Sequence, residues 1–168
     1  MRRGRAGDDF QDAFVAHRDA LMRYAIRRVA LDDAADIVAE TFAVALRRWS
    51  TGAPPRDPLP WLYAVAHNVI RNHRRGVGRS SVGLPEAWTP ALEYAVDDRL
   101  ALLNALSTLS PSDREVLMLA AWEGLDSREL AIVLGCSRVA ARVRLSRARQ
   151  RLTTAIDPET AQTEGIPL

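Results

Sequence analysis

The stretch Asp126-Ser-Arg-Glu-Leu-Ala-Ile-Val-Leu-Gly-Cys-Ser-Arg-Val-Ala-Ala-Arg-Val-Arg-Leu-Ser-Arg-Ala-Arg149 decides the fold of the second half of this chain. Asp126 and Glu129 have the reciprocal spacing of a capping box, so a short helix begins there and runs to Leu134. Gly135-Cys136-Ser137 then interrupts it. Gly135 supplies the left-handed residue that a side chain with a Cβ resists, and a last helix follows from about Arg138 to Thr154. Small Ala131 stands where two such helices approach closely. Helix, tight turn and capped helix make a helix-turn-helix.

In the last helix Ala141, Leu145, Ala148 and Leu152 fall at spacings of 4, 3 and 4, which defines a buried stripe. Six arginines occupy the fourteen positions from Arg138 to Arg151, and no acid lies among them. A merely solvated helix face ordinarily mixes its signs, so duplex DNA is the better fit. A major groove takes one helix, with early residues at base edges and flanking ones on phosphates. That geometry puts Arg138, Arg142, Val143, Ser146 and Arg147 on the base side. Arg144, Arg149 and Arg151 are then phosphate partners or contacts within the fold.

Working outward, Ser110-Pro111 caps and starts a helix that reaches Glu123 and is closed by Gly124. Before it, Leu100, Leu103 and Leu106 mark a helix from about Asp97 to Leu109. Residues 76–96 hold three Gly, two Pro and two adjacent Ser and read as a linker, with a short turn near Ala91–Ala95. Upstream, Ala34, Ile37, Val38, Thr41, Phe42, Ala45, Leu46 and Trp49 share one face of a helix spanning about 33–49, with Asp32 or Asp33 as its cap. A preceding helix, about 9–30, repeats Phe10, Phe14, Leu21, Ala25 and Val29. Pro60 suits the first position of a third helix, where its missing N–H costs nothing. That helix buries Trp61, Leu62, Val65, Ala66, Val69 and Ile70 and ends among Arg71, Arg74 and Arg75. The fold class is therefore all-α: a helical domain over 8–76, a linker over 77–96, a helix-turn-helix domain over 97–155 and a tail over 156–168.

The 168 residues are 48% apolar and carry a net charge of +2, an ordinary globular balance. All 23 basic residues are arginine, which a GC-rich genome alone can produce. The distribution says more. Residues 1–79 carry 14 Arg against 9 acids, 80–98 no Arg and 4 acids, 99–151 9 Arg against 5 acids, and 152–168 only 3 acids. Two basic blocks flank an acidic strip. The longest apolar run, Val116 to Trp122, is too short to cross a bilayer, and Asp8 and Asp9 follow the basic start where a secretion signal needs an apolar region. A cytoplasmic location follows, without membrane insertion. The single cysteine, Cys136, excludes an intrachain disulfide framework and reads as a small buried filler.

Other chemistry is thin. His17, His67 and His73 match no metal spacing, so no metal or other cofactor is expected, and each is most simply a partly exposed helix residue. Asp36 and Glu40 sit at i,i+4, away from the apolar stripe. Such a pair can serve acid–base chemistry, but no histidine shares the face, and a solvated or partner-binding face fits better. Without a phosphate loop or nucleophile elbow the chain is not expected to be an enzyme. Trp61 and Tyr63, with the cations at the other end of their helix, can pair base stacking with phosphate tracking, although a core role fits Trp61 and Leu62 as residue types.

Several of these stretches resemble one family. Asp33-Ala-Ala-Asp-Ile-Val-Ala-Glu-Thr-Phe42 and Pro58-Leu-Pro-Trp-Leu-Tyr-Ala-Val-Ala-His-Asn-Val-Ile70, continuing through His73-Arg-Arg75, are similar to region 2 of a bacterial RNA polymerase sigma factor. Leu109-Ser-Pro-Ser-Asp-Arg-Glu-Val-Leu117, Glu123-Gly-Leu-Asp-Ser-Arg-Glu-Leu-Ala131, Leu134-Gly-Cys-Ser137 and Arg147-Ala-Arg149 are similar to region 4. Two helical units with a short linker resemble the extracytoplasmic-function (ECF) group. The resemblance spans about residues 10–154. It departs at Gly52, where the family usually has an aromatic residue, and at Ala39, where a glutamine is common.

The resemblance implies a non-catalytic subunit that gives core RNA polymerase its promoter choice. It implies that Asp36, Ile37, Glu40, Thr41 and Phe42 bind the β′ clamp, and that Trp49, Trp61, Tyr63, Asn68, Arg71, Arg74 and Arg75 capture and open the −10 element. Ser137, Arg138, Arg142, Val143, Ser146, Arg147 and Arg149 would read −35, beside a contact with the β flap. The acidic linker would thread toward the active and RNA-exit channels. An anti-sigma protein is a further implied partner. A stand-alone regulator with the same helix-turn-helix and a sensing or dimerising N-terminal unit accounts for the same charges, as does, more remotely, a helical enzyme built on Asp36 and Glu40.

Overall fold

A computed structural model describes residues 3–52, 54–76 and 96–156. These form seven helices: α1 (Arg3–Ile26), α2 (Leu31–Thr51), α3 (Pro58–Gly76), α4 (Val96–Thr108), α5 (Pro111–Ala121), α6 (Ser127–Leu134) and α7 (Arg138–Ile156). No strand occurs among the described residues. The chain divides into two compact units, with α1–α3 packed together in the first and α4, α5 and α7 in the second. The expected linker turn near Ala91–Ala95 and the tail from Asp157 lie outside the described residues.

In the first unit α2 packs against both neighbours because its apolar residues recur at three and four. Ala34, Ile37, Val38, Thr41, Phe42, Ala45 and Trp49 are all buried. The Thr41 hydroxyl is satisfied by donating to the Ile37 carbonyl at 2.7 Å. Leu46, expected on this face, is exposed. Phe10, Phe14, Phe42 and Trp49 form an aromatic cluster with centroid separations of 4.7–6.4 Å. Toward the other end, Tyr24 meets Tyr63 at 5.1 Å, and the buried Arg28 guanidinium lies 3.6 Å above the Tyr24 ring.

Three boundaries differ from the periodicity. α1 begins earlier than Asp9 and stops at Ile26, since Arg28 and Val29 both donate to the Ala25 carbonyl and close the helix. α2 is preceded by Ala30, which makes no side-chain cap bond. Asp32 and Asp33 stand inside its first turn instead, where carboxylates complement the helix dipole. α3 starts at Pro58 rather than Pro60, because the first turn tolerates a missing N–H at several positions.

In the second unit the Ser110 cap is as expected. Its hydroxyl accepts from the Asp113 amide at 3.1 Å and donates to the Asp113 carboxylate at 2.8 Å. α5 ends at Ala121, short of Glu123. The chain then turns through Gly124 at φ +67°, a conformation that glycine takes readily, and the Leu125 amide returns to the Leu119 carbonyl at 3.1 Å. The capping box of α6 is complete: Asp126 accepts from the Arg128 and Glu129 amides, while Glu129 accepts from the Asp126 amide at 2.8 Å. Those bonds, from Glu129 first and Arg128 second, hold the Asp126 carboxyl below its ordinary value of 3.8. A depressed carboxylate stabilises the fold above its unfolded pKa, and that contribution is lost as pH falls through the folded value. Acid titration of Asp126→Asn should lack this component.

Gly135 makes the turn between α6 and α7 at φ +61°, and a Cβ there would meet nothing within 4 Å. The cost of a side chain is therefore conformational alone. Gly135→Ala is expected to destabilise the helix-turn-helix by about 1–2 kcal/mol, read as a lowered thermal midpoint with unchanged helix content at 20 °C, roughly room temperature.

Candidate nucleic-acid and polymerase interfaces

α7 sinks only Ala141 and Ala148 fully into the second unit, while Leu145 and Leu152 are half-buried. Ser137 caps the helix by accepting from the Ala140 amide at 3.1 Å. Arg142, Val143, Arg144, Ser146, Arg147 and Arg149 are exposed, so the expected −35 set shares an accessible surface. Arg138 is exposed too, and its Nε donates to Ser127 Oγ at 3.2 Å, tying the start of α7 to α6. Of the two roles open to Arg151, the structure gives the contact within the fold: Nη1 lies 2.7 Å from Asp113 Oδ2. Asp113 is well buried and Arg151 largely exposed, so the pair joins the core of α5 to the surface of α7.

The polymerase set divides. Asp36 and Glu40 are exposed, with Ala35, Ala39 and Ala43 beside them. Ile37, Thr41 and Phe42 are core residues with no surface to offer. Their expected direct contact with a partner is corrected: the same 3.6-residue period that makes them a recognisable motif turns them inward.

The −10 set divides as well. Asn68, Arg71 and Arg75 are exposed and Trp61 is half-buried. Trp49 and Tyr63 are only 2% and 3% exposed and hold the two aromatic clusters together, so neither stacks on a base in this conformation. Arg74 is half-buried and donates to the Arg28 carbonyl at 2.7 Å. It caps the turn after α1, whose carbonyls lack intrahelical partners. His73 Nε2 lies 3.3 Å from Asp33. The basic end of α3 thus has an inner half holding the fold, His73 and Arg74, and an outer half, Arg71 and Arg75, facing solvent.

Val139, outside the expected −35 set, is exposed on α7. Its place four residues before Val143, away from the alanine stripe, was the available signal. Cys136 is half-buried rather than a fully enclosed filler. His17, His67 and His73 are each half-buried, and burial lowers the His17 pKa from 6.5. Among the described residues no group of three or more His, Cys, Asp or Glu is placed to hold a metal, and no helix is long and apolar enough to cross a membrane.

Comparison with known proteins matches residues 13–80 to sigma-70 region 2 and residues 99–152 to sigma-70 region 4. The RNA polymerase sigma factor CarQ of Myxococcus xanthus is 32% identical over 90% of this chain and 92% of its own. The ECF RNA polymerase sigma factor SigL of Mycobacterium tuberculosis is also 32% identical, over 81% of this chain and 82% of its own. Among solved structures, the sigma factor RpoE in complex with the anti-sigma factor NepR from Bartonella quintana superposes with a TM-score of 0.64 at 26% identity, covering 90% of this chain and 98% of that one. CnrH in complex with the cytosolic domain of CnrY gives 0.63 at 28% identity, covering 89% and 88%. Both regions in order, with relatives matched along nearly their whole length, place this chain in the ECF family of RNA polymerase sigma factors, which direct promoter-specific initiation of transcription.

Proposed function

We propose that this ECF sigma factor works through separate surfaces on its two units. Asp36 and Glu40 on the exposed face of α2 meet the β′ clamp of core polymerase. The exposed face of α3, with Asn68, Arg71 and Arg75, lies along the −10 element, and half-buried Trp61 stands nearest to it among the aromatics. α7 enters the major groove of the −35 element, with Arg142, Val143, Ser146 and Arg147 at base edges and Arg144 and Arg149 on phosphates. The second unit also touches the β flap. The protein contributes no catalysis of its own and works in the cytoplasm. An anti-sigma protein that covers these faces would silence it.

The arginine display of α7, free of acids from Arg138 to Arg151, carries the reading. Melting at −10 takes bases out of the stack at a few kcal/mol each, and the sequence carries no nucleotide-hydrolysis motif to supply that energy. Binding of the exposed strand must offset it. At a net +2 the isolated chain attracts DNA weakly, so its affinity develops inside the polymerase complex.

Run-off transcription with core polymerase, with and without this protein, tests the reading. A template that is transcribed only when the protein is present supports it, and core that never retains the chain overturns it. Arg142→Ala should cost about 1–3 kcal/mol of discrimination at one −35 base pair. Arg149→Ala should weaken all sequences alike and reduce the salt slope by about 1. Binding titrations on promoter and random duplexes at several salt concentrations separate the two.

A further inference from the structure

Val139 and Val143 stand on the surface of α7 at 69% and 41% exposure, one helical turn apart. With Ser146 they run along the face turned away from the buried Ala141 and Ala148, as a period of 3.6 residues requires. Arg138, Arg142 and Arg149 lie along one side of this line, and Arg144 and Arg147 along the other. The surface is a narrow apolar ridge between two cationic rails. Neither valine serves the helix itself, because β-branched residues favour helix less than alanine or arginine does. The ridge points into whatever the rails bind, and their guanidinium groups fit the phosphates and base edges of a duplex.

We infer that Val139 and Val143 are specificity-determining residues that read the C5 methyl groups of thymines in the major groove of the −35 element. This rests on α7 being the −35 helix. Thymine presents the one apolar group on a major-groove edge, and an apolar side chain is its natural contact. Val139 is the second residue of α7, among the early positions that reach base edges in this class of motif. The two valines are separated by about 6 Å along the helix, close to two base-pair steps of about 3.4 Å. Two thymines within one to three base pairs of each other, on either strand, are therefore the expected targets. The guanidinium of Arg142, between the valines in sequence, reaches an adjacent guanine.

The test uses the full chain assembled with core RNA polymerase and duplexes randomised across −35. Each thymine in the selected sequence is then replaced by deoxyuridine, which keeps the hydrogen-bonding edge and removes the methyl. At one or two positions the replacement should weaken binding about fourfold, the effect of one uncovered methyl. Val139→Ala or Val143→Ala should abolish that sensitivity, binding thymine and uracil duplexes equally. A helix merely loosened by the substitution would weaken both duplexes and leave their ratio unchanged. If selection returns no thymine in the element, or uracil substitution has no effect at any of them, the valines do not read methyls, although α7 remains the −35 helix. If no −35 sequence is selected at all, the inference and the assignment of α7 fall together.

Discussion

Reversing both exposed carboxylates of α2, as Asp36→Arg with Glu40→Arg, is expected to weaken binding to core RNA polymerase by at least about a hundredfold, since opposed like charges at an interface cost several kcal/mol. Both side chains are exposed and one turn apart, so they present one negative patch rather than two isolated charges. The core beneath them, Ile37, Val38, Thr41 and Phe42, is untouched by the change. Exposed substitutions alter stability by about 0.5 kcal/mol or less, and the thermal midpoint of the chain should move by only about 2–3 °C. Fluorescence anisotropy with labelled protein and core polymerase measures the first effect and circular dichroism the second. Undiminished binding by the double variant removes α2 from the polymerase interface. Duplex binding through α7 should be unaffected in the same preparation.

Trp49→Ala is expected to destabilise the first unit by about 3–5 kcal/mol, the range for deleting a large aromatic from a core. Trp49 is nearly enclosed and sits 5.7 Å from Phe10, edge to face. Its loss also removes the ring against which Phe10 packs. Promoter opening should fail in this variant because the unit no longer folds. Trp49→Phe separates that cause from a direct contact with bases: a smaller ring keeps much of the cluster, so opening should persist at temperatures where the variant is folded. Loss of opening by a folded Trp49→Phe protein would return Trp49 to the DNA-contacting set.

These two sets of positions on α2 show what was legible in the sequence. A hydrophobic period gives the helix and its inner face, and both units follow from it together with the caps at Ser110 and Asp126. The turn at Gly135 was equally plain because only one residue type takes that conformation without strain. Site assignments by motif were less secure, since a motif mixes residues that hold the helix in place with residues that touch the partner. Ile37, Thr41 and Phe42 belong to the first kind, Asp36 and Glu40 face outward, and the 100° step between successive residues sorts them. Arg74 and Arg151 could not be sorted in that way. Each is retained by an oxygen distant in sequence, the Arg28 carbonyl and the Asp113 carboxylate, which no local pattern reveals. Helix ends drifted for a similar reason, because a carbonyl such as that of Ala25 can close a helix before its apolar period ends.

The shallow seat of α7, with only two alanines fully enclosed, bears on how such proteins diversify. Most of its outward positions lie outside the body's packing and can be exchanged without unfolding it. Duplicated copies of the gene are therefore free to acquire new target sequences by drift on this one surface, while the residues that maintain the body stay under constant selection. Regulatory networks can branch without inventing a new scaffold each time.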